Sequence, residues 1–157
     1  MCLSTITSFL PIVNTSIILT GGILALIQYN KQQRFKRINN LVSIWQKFIN
    51  SDENMELFDL CDQIESSGVN DENLNNQLVN FDRRIKLKFL GLLEEVAIFT
   101  EKFEVDKKYA NYLFQWHFKY VFSSKKTSPF FWQELGGEEE MNAPYWEKSK
   151  RFAKQLN

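Results

Sequence analysis

Four carboxylates, Glu56, Asp59, Asp62 and Glu65, recur every third residue, and the single histidine, His117, sits between Trp116 and Phe118. Carboxylates repeated along a helix are the raw material of a metal site or an acid–base pair. A helix turns about 100° per residue, so a three-residue step drifts backwards by about 60° and the four spread around half the circumference. The Glu-x-x-His pair of a di-metal bundle is missing, and a solvated acidic face is the reading that remains. His117 has no second histidine to pair with, and Cys2 and Cys61 are too scattered to complete a zinc set. It reads as a semi-buried, hydrogen-bonded residue. Cys61 falls on the apolar side of its helix and reads as a small core residue. Cys2 lacks the preceding apolar run that a bacterial lipoprotein site needs. Gly21-Gly22 lies in an apolar run and Gly136-Gly137 precedes three glutamates, so neither forms a phosphate-binding loop. No catalytic residue, metal site or cofactor is expected.

The element that organises the chain is the charge-free stretch before Lys31. Residues 10–29 are mostly Ile, Leu, Val, Thr and Gly, and about 20 apolar residues as a helix match a hydrocarbon core of roughly 30 Å. Lys31, Arg34, Lys36 and Arg37 follow at once. A cleaved signal peptide carries its positive charge before the apolar run, the reverse of this order. The expectation is a single transmembrane helix with residues 1–9 outside the cell. The four basic residues would hold the C-terminal side in the cytoplasm and face the membrane surface. The two cysteines would then lie on opposite sides of the bilayer, unable to bridge.

At about 100° per residue, Asn14, Ile18, Gly21, Ala25 and Gln28 lie within about 40° of one line down that helix. Small residues allow close backbone approach and amides in lipid seek partners, so this line is a candidate self-association face.

Beyond the span, helical spacing dominates. Phe35, Ile38, Leu41, Val42, Trp45, Phe48 and Ile49 mark one face, and no Gly or Pro interrupts Leu24 to Asn50. The juxtamembrane helix, residues 30–50, is therefore expected to continue the span and pack its residues 35–50 on a helical domain of residues 51–157. In that domain the spacing predicts a helix capped by Ser51 or Asp52 and ending near Ser66-Ser67-Gly68, then a loop or short helix over 70–80. A long helix over 81–103, an aromatic helix over 107–122 capped by Asp106, a short helix opened by Ser128-Pro129 and a terminal helix from Pro144 complete it. The expected core includes Trp45, Phe58, Phe89, Leu93, Val96, Leu113 and Trp116. Phe130, Phe131 and Trp132 are the candidate surface for a protein partner, since surplus aromatics in a short helix near the terminus suit one. No alternating strand pattern appears, so the fold class is all-α.

Charge is balanced, with 19 basic and 19 acidic residues, but unevenly distributed. Every charge from Lys31 to Lys47 is positive and every charge from Asp52 to Asp82 is negative. The basic helix suits anionic lipid or the acidic helix that comes after it. No broad basic surface argues for nucleic acid.

The order of one N-terminal span, a basic helix bearing Gln32-Gln33-Arg34-Phe35-Lys36-Arg37, a small helical domain and the closing Pro144-Tyr145-Trp146 resembles the bacterial family of uncharacterised membrane-anchored proteins called DUF4760. The resemblance implies a bacterial or phage setting and carries no catalytic residues with it. Two functions fit these readings. One is a membrane-anchored, non-catalytic interaction or regulatory module with a lipid bilayer and an unidentified protein as partners. The other is a membrane-perturbing effector of a toxin or phage-defence system, acting as a homo-oligomer through its transmembrane helix.

Overall fold

Helical spacing in the sequence becomes helix in space. The computed structural model describes residues 3–67, 71–103 and 107–156, with side chains from Ile18 onward and without that of Phe103. Among these residues there are eight α-helices and no strand. They are α1 (Leu3–Ile49), α2 (Asp52–Ser66), α3 (Glu72–Val79), α4 (Arg83–Phe103), α5 (Lys107–Phe118), α6 (Ser128–Gln133), α7 (Gly137–Met141) and α8 (Glu147–Leu156). A π-helical turn, Lys119–Ser123, succeeds α5, and a 3₁₀ turn, Pro144–Trp146, precedes α8. The chain divides into two units, Met1–Arg37 and Ile38–Asn157. The expected caps at Gly68 and Asp106, and Cys2, lie outside the described residues.

Local chemistry sets most boundaries. The Ser51 hydroxyl accepts from the Asn54 N–H at 3.4 Å, with Asp52 and Glu53 in the first turn of α2. Both features satisfy the positive end of a helix. Asp71 does the same for α3, accepting from the N–H groups of Asn73 at 2.9 Å and Leu74 at 3.2 Å. This makes residues 72–79 a helix instead of a loop. Gly136 (φ 129°) and Gly137 (φ 67°) form the turn after α6, a backbone region that disfavours side chains. A Cβ on Gly136 would also meet the Glu140 Cβ at 2.9 Å.

The second unit holds the core. Leu41, Ile44 and Phe48 of α1 are buried, as are Leu57, Leu60, Cys61 and Ile64 of α2. From α4 come Phe89, Leu90, Leu93, Val96 and Ala97, one stripe at helical spacing. Phe48 is central: its ring centroid lies 5.1 Å from that of Phe89 and 5.6 Å from that of Phe114. Edge and tilted contacts of this kind add to what area burial alone supplies. Phe89, Leu93 and Val96 lie in the core as the spacing predicts, with Trp45, Phe58 and Leu113 half-buried against it. Trp116 does not. It is 47% exposed, because α5 turns Ala110, Phe114, His117 and Phe118 inward and Trp116 falls on the opposite side.

Candidate functional site

In the first unit, α1 is bare. Ile18, Leu19, Ile23, Leu24, Leu26 and Ile27 are each more than half exposed, and at about 100° per residue they cover about two-thirds of the circumference, with Gly21, Ala25 and Gln28 in the remaining sector. An exposed apolar surface that wide is one that something else covers. Ala25 and Gln28 are exposed as well, and a Cβ added to Gly21 would meet nothing within 4 Å. The side chain of Asn14, the remaining member of the proposed association line with Ile18, lies outside the described residues. Lys31, Arg34 and Lys36 are exposed and Arg37 is half-buried. Among the described residues no helix is long and apolar enough to cross a membrane. Residues 10–17 of the expected span lie outside the described side chains.

In the second unit the expected partner surface is turned inward. Phe131 and Trp132 are buried, at 0% and 2% exposure, and Phe130 is half-buried. The cause is a bond that the spacing does not announce: the Trp132 indole N–H donates to the Val121 carbonyl at 2.8 Å. The aromatics left outside include Tyr145 and, on α5, Tyr109, Tyr112 and Trp116, the last three spaced so as to share one face. The Lys119 ammonium sits 4.7 Å from the Trp116 ring centroid.

The four carboxylates of α2 separate into two pairs. Glu56 and Asp59 are exposed and, with Asp52, line a groove of about 740 Å³ against α3. Asp62 accepts from the Tyr120 hydroxyl at 2.5 Å, and Glu65 accepts from the Ser124 hydroxyl at 2.6 Å and pairs with Lys119 at 3.2 Å. Burial would raise the Glu65 carboxyl, but the Ser124 hydroxyl and the Lys119 ammonium outweigh it and hold the group below its ordinary value. Burial, reinforced by Asp62, pushes the Tyr120 phenol up. So the latter half of the acidic face, with Asp62 exposed and Glu65 half-buried, also fastens the residues after α5. No group of three or more His, Cys, Asp or Glu able to hold a metal ion occurs among the described residues.

His117 is buried at 7% exposure inside rings. Phe58 stacks on it at 4.4 Å, and Phe48, Phe89 and Phe114 surround it at 5.1 to 5.9 Å. Its Nδ1 has no hydrogen-bond partner among the described residues. Burial lowers its pKa to about 4, so near neutral pH the ring is uncharged.

Lys86 is the residue that spacing arguments passed over. It is fully buried, three residues before Phe89 on the inward stripe of α4, and its ammonium donates to the Val79 carbonyl at 2.9 Å. Val79 closes α3, so the amine fills the role of a helix C-cap. Burial lowers its pKa to about 8 and raises that of nearby Cys61 to about 12. Neutral Cys61 is therefore the core thiol that its helical position suggests. The one signal of Lys86 in the sequence is its place in the stripe.

A separate cavity of about 390 Å³ is lined by α4, α5 and α8, with Lys107, Lys148, Arg151 and Glu101 among its residues. These are far apart in sequence, so no motif brings them together. No family model, curated protein or solved structure matches this chain.

Proposed function

We propose that this chain is a membrane-anchored, non-catalytic helical module, in which the apolar part of α1 is covered by lipid and the bundle of residues 38–157 is presented to a protein partner. One observation carries this reading: the uncovered apolar side chains from Ile18 to Ile27, succeeded by Lys31, Arg34, Lys36 and Arg37. Exposed apolar surface of this extent marks a membrane or protein contact, and the basic residues after it are the flank that anionic headgroups attract. The partner face would be the exposed aromatic line of α5, Tyr109, Tyr112 and Trp116.

Fractionation of cells expressing the tagged full-length chain tests the anchor. The chain should stay with membranes through alkaline carbonate, and a C-terminal reporter active only in the cytoplasm should report. Changing Lys31, Arg34, Lys36 and Arg37 to Gln together should scramble orientation. Recovery of the intact chain in the carbonate supernatant would overturn the proposal.

A further inference from the structure

Where α4, α5 and α8 meet, the second unit holds a cavity of about 390 Å³. Such a volume lies at the lower end of the range for small-molecule sites. Its floor is apolar and closed: Ala97 and Phe152 are 2% and 5% exposed. Thr100, also buried, has its hydroxyl committed to the Val96 carbonyl at 2.7 Å and adds no free donor. The rim is cationic. Among the described residues, Lys107, Lys148 and Arg151 face the space with one carboxylate, Glu101.

That carboxylate is already engaged twice, by Lys148 at 2.9 Å and by Arg151 at 3.2 Å, and hydrogen bonding to Lys148 holds its pKa below the ordinary value. Arg151 also reaches Glu147 at 2.9 Å. Lys107 is different. Its ammonium bonds only the neutral Gln155 amide oxygen, at 2.9 Å, among the described residues. Among the described residues the amide nitrogen of Gln155 makes no hydrogen bond and can donate. An apolar floor, two cations held at fixed positions by a central carboxylate, and a third cation matched among the described residues only to an amide make a receptor for an organic anion. The anionic head would meet Lys107 and Arg151 while a compact apolar body lies on Ala97 and Phe152.

We propose that this cavity binds a small organic anion, a carboxylate or phosphomonoester with a ring-sized apolar body, and that Glu101 competes with the ligand for the cations. The competition gives the site its test. Phenyl phosphate, titrated calorimetrically into the full-length chain, should bind saturably and more weakly as salt rises. Inorganic phosphate and benzyl alcohol, each carrying half of the recognition, should bind much less well. Lys107→Gln should weaken phenyl phosphate by about tenfold, the value of one charge-assisted hydrogen bond. Glu101→Gln should tighten it, an effect that a purely structural carboxylate would not produce. Both side chains are exposed, so the variants keep the fold, and an unchanged thermal midpoint verifies this. The proposal is overturned if phenyl phosphate shows no saturable binding. It is equally overturned if Glu101→Gln leaves binding unchanged or weaker, or if inorganic phosphate binds as well as phenyl phosphate.

Discussion

The Trp132 indole N–H reaches the Val121 carbonyl at 2.8 Å, and that bond joins α6 to the π-helical turn it folds over. A π turn spends its backbone bonds one residue further on than an α-helix, as in the 2.8 Å bond from the Ser124 N–H to the Lys119 carbonyl. The carbonyls this disturbs are collected by side chains at the start of α6. Tyr120 accepts from the Thr127 hydroxyl at 2.8 Å, and Val121 accepts from the Ser128 hydroxyl at 2.7 Å as well as from Trp132. The same turn directs Tyr120 and Ser124 to Asp62 and Glu65. A widened turn, three buried side-chain donors and two carboxylates thus fasten the start of α6 to the π turn and the π turn to the end of α2.

Trp132→Phe should therefore cost about 1–3 kcal/mol, the range for removing a buried donor. Trp132→Ala should cost about 3–5 kcal/mol by adding the loss of a buried aromatic. Denaturant midpoints of the three chains measure both. Equal midpoints for the parent and the Phe variant would mean that Ser128 alone satisfies the Val121 carbonyl.

His117 should make the fold acid-sensitive. The unfolded chain takes up a proton near the ordinary value of 6.5, while the folded chain does so only near 4. Between these values the unfolded state binds more protons, so stability falls as pH drops through the window and levels off below it. The shift corresponds to about 3 kcal/mol. His117→Leu should remove that dependence. Stability curves of the two proteins that stay parallel from pH 7 to pH 4 would show that the imidazole is not shielded by its four rings.

Lys86 behaves in the opposite pH range. Its pKa is about 8 in the fold against 10.5 outside it, so the unfolded chain holds more protons between those values and stability rises with pH there. Below about pH 8 the buried ammonium is a liability of about 3 kcal/mol, partly offset by its bond to Val79. Lys86→Met, of similar volume, should be neutral or stabilising at pH 7 and should lose the gain that the parent shows on going to pH 10. A loss of several kcal/mol at pH 7 would mean that capping α3 outweighs desolvation.

The helices are legible in the sequence because their signals are local. The Ser51 cap, the Ser128-Pro129 start and the stripe of α4 each need only a few neighbouring residues. The features that escape such reading are decided by partners remote in sequence. Phe131 and Trp132 look like surplus aromatics until Val121 claims the indole, and Asp62 and Glu65 look unpartnered until the π turn brings Tyr120 and Ser124 to them. Lys86 sits where periodicity demands an apolar residue, and only the end of α3 explains it. The cations around the cavity come from α5 and α8, with Glu101 from α4, so no spacing could have grouped them.

Those differences are sharpest at two residues that the spacing placed together in the core. Leu93 is fully buried on the inward stripe of α4, whereas Trp116 is 47% exposed on α5 with Lys119 over its ring. Leu93→Ala removes a side chain that its surroundings cannot replace, and it should cost on the order of 2–5 kcal/mol. Trp116→Ala empties no core space, and the loss of its exposed contacts with Lys119 and the Tyr120 ring should cost no more than about 1.5 kcal/mol. Trp116 is the larger residue by far, so a ranking based on size alone predicts the reverse order. Thermal or denaturant unfolding of the two variants decides it. If Trp116→Ala proves as damaging as Leu93→Ala, the outward face of α5 is packed against another part of the chain or a second copy, and is not open to a partner.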